Sequence, residues 1–116
     1  MRAAGAPVIE LKAGVRLHGI RPELVLAIHV AEGHWAQAGV PTLVVTAGIE
    51  GQHTRASAHY RGCAVDLRTN TLPPDTVPNI LAALQAALGP DFFVLYENAG
   101  TSNAHVHVEF RPQEAY

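Results

Sequence analysis

The sequence predicts an α+β domain: a small, largely antiparallel sheet with helices packed on one face. Three observations lead there. Two segments carry apolar residues at helical spacing, four short runs are rich in β-branched and aromatic residues, and the last two runs flank a turn-rich segment. With 116 residues, 48% of them apolar, the chain suits one domain over residues 1–116 with a modest core.

Taken in order, Leu17–Gly19 leads into Arg21-Pro22-Glu23, with proline early and an acid in the positive-dipole turn, which marks a helix start. The helix is expected to run to about Ala38. Leu24, Ile28, Ala31, Trp35 and Ala38 form its apolar stripe, Trp35 reads as core, and Gly39 with Pro41 supplies the stop. Thr42–Ala47 (TLVVTA), bounded by proline and glycine, reads as a central strand. Gly48–Tyr60 is polar and aperiodic and reads as an exposed loop, the kind of segment that often carries chemistry. Cys63–Arg68 is the next strand. A second helix follows Pro73-Pro74-Asp75, from about Thr76 to Leu88, with Val77, Leu81, Leu84 and Leu88 on one face and Gly89-Pro90 at its end. Phe92–Glu97 and Ala104–Arg111 flank Asn98–Asn103 and form a hairpin. The sheet face without helices is then available for a site.

Composition narrows the function classes. A formal charge of −2 and no Lys/Arg stripe argue against nucleic acid as a partner. The lone Cys63 makes no internal disulfide, so any metal must be held by histidines and carboxylates. Met1–Pro7 lacks the apolar core of a secretory signal, and no apolar run approaches the roughly 20 residues of a membrane span, so a soluble protein is expected; a monomer is the expected state of association.

The candidate chemistry sits on two strands. His105, His107 and Glu109 alternate with Val106, Val108 and Phe110, while Ala64, Asp66 and Arg68 alternate with Val65 and Leu67. Side chains two apart on a strand share a face, so both strands present metal-binding groups to one cleft. His59 lies upstream of Asp66, and Gly62 between them lets the backbone turn its imidazole back over the carboxylate. Two imidazoles and one carboxylate suit zinc and leave a fourth position open for water. Asp66 stands in an apolar run, where an unpaired carboxylate is costly unless a metal or a cation such as Arg61 or Arg68 compensates it. His18, His29, His34 and His53 read as ordinary surface or satisfied histidines. Tyr60 and Tyr96 read as packing residues before groove residues.

Ser57-Ala58-His59-Tyr60-Arg61-Gly62-Cys63-Ala64-Val65-Asp66 resembles the Ser-x-His-x-x-Gly-x-Ala-x-Asp signature of the zinc D-Ala-D-Ala metallopeptidases, a superfamily that includes lysostaphin-type enzymes and the hedgehog amino-terminal domain. His105-Val106-His107 resembles its late His-x-His motif. The resemblance implies one Zn2+ per chain on His59, Asp66 and His107, with His105 catalytic and Ser57 supporting the loop. Two departures matter. Ala104 stands where carboxypeptidase members carry the glutamate of Glu-x-x-His, and Gly48-Ile49-Glu50 lacks the arginine that dipeptidase-type members place near this point. Arg55, Arg61 or Arg68 are the available substitutes for recognising a substrate carboxylate.

The expected activity is therefore zinc-dependent hydrolysis of a peptide bond in bacterial peptidoglycan, as an endopeptidase or a D,D-/L,D-carboxypeptidase. Zinc would polarise the scissile carbonyl and bring the pKa of water from about 16 towards about 7. His105, about 6 to 7 Å from His107 along an extended strand, would serve as acid/base, and Glu109 could accept a hydrogen bond from an imidazole. Small size without an appended wall-binding repeat suggests a stand-alone catalytic domain such as a phage lysis enzyme or a bacterial wall-remodelling hydrolase, with the cell wall or periplasm as its expected place of action. A zinc-stabilised binding or structural module of the same fold, without turnover, is the alternative that the hedgehog relationship keeps open.

Overall fold

The computed structural model describes residues 7–50 and 61–112. Their elements are β1 (Val8–Leu11), α1 (Pro22–Gln37), β2 (Thr42–Ala47), β3 (Ala64–Arg68), a 3-10 turn (Pro74–Thr76), α2 (Val77–Leu88), β4 (Phe92–Glu97) and β5 (His105–Phe110). One five-stranded sheet runs in the order β1-β2-β3-β5-β4. The β1/β2 pair is parallel and the other three pairs are antiparallel, so the fold is α+β with a largely antiparallel sheet, as the patterning predicts.

The strand β1 has no counterpart in the sequence reading. Four residues give only two cycles of alternation, and Glu10 and Leu11 are both exposed, so the segment carries little periodic signal. Its pairing is supplied by β2, a tertiary contact that local sequence does not encode. The bulge between Val45 and Ala47 on β2 is equally silent in the sequence.

Both helices lie on one face of the sheet, α1 against β2 and β5 and α2 against β4, and they pack on each other. The expected stripe of α1 is buried at Leu24, Ile28, Ala31 and Trp35, joined by Ala27, while Ala38 is the partly buried C-cap. Val77, Leu81 and Leu84 of α2 enter the same core. Helix α2 begins at Val77, because Pro74–Thr76 winds as a tighter turn closed by Thr76 Oγ1 donating to the Pro73 carbonyl at 2.6 Å. The indole of Trp35 is fully buried, and its Nε1–H donates to the Arg68 carbonyl at 3.3 Å, fastening α1 to the end of β3.

Two loop contacts fix the approach to β3. Gly62 has a φ of +70, and a Cβ there would lie 2.5 Å from the Gly19 carbonyl oxygen, so only glycine fits without displacement. Its own carbonyl accepts the Arg21 backbone N–H at 2.9 Å, tying the entry of β3 to the start of α1. After β2, Glu50 accepts the backbone N–H groups of Arg16 at 2.8 Å and Gly48 at 3.0 Å, so it locks two loops together.

At the far edge of the sheet, Gln85 of α2 reaches β4. Its Nε2 donates to the Phe92 carbonyl at 2.9 Å and its Oε1 accepts the Val94 N–H at 3.0 Å. Among the described residues no helix is long and apolar enough to cross a membrane.

Candidate metal centre

The site is set by strand register. In the β3/β5 pair Asp66 stands opposite His107, Arg68 opposite His105 and Ala64 opposite Glu109. The alternate residues Val65, Leu67, Val106 and Val108 point into the core and are at most 1% exposed. Burying those valines and Leu67 against the helices forces Asp66, His105, His107 and Glu109 onto the opposite face together. In the β4/β5 pair Glu97 stands opposite His105, and this brings a second carboxylate to the same face.

Asp66 is the centre of the cluster. Its Oδ1 lies 3.0 Å from His107 Nδ1, and its Oδ2 lies 3.7 Å from His105 Nε2. The other nitrogen of His107, Nε2, lies 3.0 Å from Glu109 Oε1, and Arg111 donates to Glu109 Oε2 at 2.9 Å. The guanidinium of Arg111 also sits 4.8 Å above the Phe93 ring. On the other side, His105 Nδ1 is 2.8 Å from the Asn103 carbonyl, and its Nε2 is 2.9 Å from Glu97 Oε1.

Electrostatics follow from these contacts. Burial on its own lowers the pKa of His107, but the hydrogen bonds to Asp66 and then Glu109 outweigh it and raise it to about 9. Burial likewise pushes the Glu109 carboxyl up, and hydrogen bonds from His107 and Arg111 overcome this and hold it below the usual range. A ring with a carboxylate at each nitrogen needs a positive charge, and a metal in place of the Nδ1 proton would serve as well as the proton does.

Asp66, Glu97 and His105 each offer one donor atom within 4.8 Å of the others, and this group could hold a metal ion. The donors are imidazole nitrogen and carboxylate oxygen, the set that zinc accepts. Asp66 and His107 fit the same chemistry. Donor atoms on a tetrahedral zinc with bonds of about 2.0–2.1 Å lie about 3.3 Å apart, close to the observed 3.0 Å between Asp66 Oδ1 and His107 Nδ1. In that arrangement the Nε2–H of His107 would donate to Glu109, the carboxylate–histidine–metal relay that orients many ligating imidazoles.

Of the residues singled out from sequence, Asp66, His105, His107 and Glu109 are brought together. Arg68 is half-buried on the same face in register with His105, and Arg61 is exposed just ahead of β3. His59, Ser57 and Arg55 lie outside the described residues, as do His53 and Tyr60. Tyr96 stands opposite Val106, on the helix side of the sheet and away from the cluster. His29 is on the surface beside Glu32, and His34 lines a shallow cleft between the helices. Glu97 is the residue that sequence reasoning missed. The hairpin expected from sequence puts Glu97 near the start of the last strand, but with that strand beginning at Ala104 the register that sets Glu97 opposite His105 is seen only in the structure.

Neither comparison with protein-family models nor comparison with curated proteins finds a match for this chain, so its functional reading rests on the motif residues and on this geometry.

Proposed function

We propose that the chain is a zinc peptidase that hydrolyses a peptide bond in bacterial peptidoglycan. The observation that carries the reading is the direct cross-strand pairing of Asp66 with His107, with His105 on the same face. These residues come from the two motifs whose order and spacing resemble the D-Ala-D-Ala metallopeptidases. Asp66 and His107, with His59 from the loop, are the proposed ligands for one Zn2+.

Zinc held there supplies Lewis acidity toward the scissile carbonyl and makes water a competent nucleophile near neutral pH. The chain supplies the rest. Glu109, itself held by Arg111, fixes the His107 ring through Nε2 and leaves Nδ1 directed at Asp66. His105 has one nitrogen committed to the Asn103 carbonyl, so Nε2 is the atom with which it takes up or delivers a proton. The sheet keeps His105 and His107 at fixed separation, which is the positioning a hydrolytic site needs.

The test is digestion of purified muropeptides by the zinc-loaded protein with mass readout. Cleavage that disappears in His105→Ala while zinc stays bound is the expected result, and the mass of the products identifies the bond. Stoichiometric zinc with no cleavage of any wall peptide would instead assign the non-enzymatic module.

A further inference from the structure

We infer that the cluster has a second cation position, formed by Glu97 Oε1, His105 Nε2 and the outer oxygen of Asp66, and that a second divalent transition-metal ion there inhibits the enzyme. The two oxygens of Asp66 serve different neighbours. Oδ1 faces His107 Nδ1 at 3.0 Å, whereas Oδ2 faces His105 Nε2 at 3.7 Å. A carboxylate divided this way is the usual bridge of paired metal sites, in which the ions lie about 3.5–4 Å apart.

The state of His105 adds to this. A carbonyl oxygen only accepts hydrogen bonds, so the Asn103 carbonyl at 2.8 Å keeps a proton on Nδ1. In the neutral ring Nε2 then presents a lone pair, and it does so 2.9 Å from Glu97 Oε1 and toward Asp66 Oδ2. Three electron-pair donors meet at one point, within 4.8 Å of one another. This is the wiring of a ligating histidine, one nitrogen held by a backbone acceptor and the other turned toward two carboxylates.

The donor set of one imidazole and two carboxylates suits Zn2+ and its neighbours in the first transition row better than Mg2+ or Ca2+, which take all-oxygen sites. The second site is the weaker of the two, because it shares Asp66 with the first ion and because Glu97 is 41% exposed. Occupancy draws the Nε2 lone pair of His105 into a metal bond, and the group that would move the proton is withdrawn. The binding follows from the donor geometry, while the inhibition rests on the peptidase reading above.

The experiment is equilibrium dialysis of the full chain against buffered free Zn2+, with metal counted by elemental analysis, for wild type, Glu97→Gln and His107→Ala. Wild type is expected to take up two ions in two steps, the second at least tenfold weaker. Glu97→Gln, which keeps the side-chain shape, is expected to retain the tight ion and lose the weak one, and circular dichroism checks that it folds. Excess Zn2+ is expected to inhibit wild-type cleavage at the free concentration that fills the second step. One ion in both wild type and Glu97→Gln would overturn this inference and leave the peptidase reading standing. One ion that is lost in Glu97→Gln yet kept in His107→Ala would overturn both, since the sole metal would then sit on Glu97 and His105. Two ions with undiminished cleavage would overturn the inhibitory role.

Discussion

The two faces of the β3/β5 pair are made from alternating residues of the same strands, and they obey opposite rules. On one face Val65, Leu67, Val106 and Val108 meet the helices and are closed off from water. On the other, Asp66, His105, His107 and Glu109 are largely desolvated and hold one another by charge and hydrogen bonds. The first face gains stability from every contact it makes. The second concentrates carboxylates and imidazoles at a cost that a proton or a cation must offset. The period of two is what permits both: a single β-strand can carry a core and a reactive cluster without either residue set intruding on the other.

Substitutions on the two faces should therefore separate. The largest effect is expected from His107→Ala, which removes a proposed zinc ligand. Zinc affinity should fall at least about a thousandfold, roughly 4 kcal/mol, as read by competition with a chromogenic chelator, while the metal-free protein still folds. Loss of folding in place of loss of metal would show that the open face is structural. On the core face, Trp35→Ala should lower unfolding free energy by about 3–5 kcal/mol in urea titration, with zinc stoichiometry retained under native conditions.

A finer test concerns the orienting carboxylate. Glu109→Gln should weaken zinc binding by about 10–100-fold, because the amide holds the His107 ring less firmly than the carboxylate does. No change would place Glu109 with Arg111 as a surface pair only.

The smallest effect is one of pH. In the metal-free protein His107 is raised to about 9, above its unfolded value near 6.5. Its hydrogen bonds therefore contribute stability that is fully present below about pH 6.5 and is lost as pH rises towards about 9. Urea midpoints of the apo protein should fall across that window, and His107→Gln should flatten the trend. Zinc bound at the proposed site would behave in the opposite way, because it would compete with the Nδ1 proton. Its affinity should rise over the same window, with release of about one proton per ion at pH 7 in calorimetry run in two buffers.

Most of this was legible in residue order. Helical spacing located α1 and α2, and alternation located β3 and β5 and assigned their faces, because each pattern repeats over enough residues to exceed chance. Asp66 and His107 could be placed on one face by counting, but not opposite one another, since register between β3 and β5 is set by long-range packing of Val65 and Leu67 against Val108 and Val106. Glu97 escaped for a related reason. Phe92–Glu97 has apolar side chains on both faces, with only its last residue polar, so no alternation marks the face to which Glu97 belongs. The strand β1 needed β2 to exist at all.

Gln85 has a consequence for how the molecule meets its own copies. Strand β4 lies at the sheet margin, and a margin strand offers unpaired backbone groups that another chain can extend. By binding the Phe92 carbonyl and the Val94 N–H, the amide of Gln85 mimics one peptide unit of a sixth strand and occupies the place where such a strand would begin to zip. The stretch of the β4 margin from Phe92 to Val94 is thus closed to a sixth strand by a side chain of the chain's own helix.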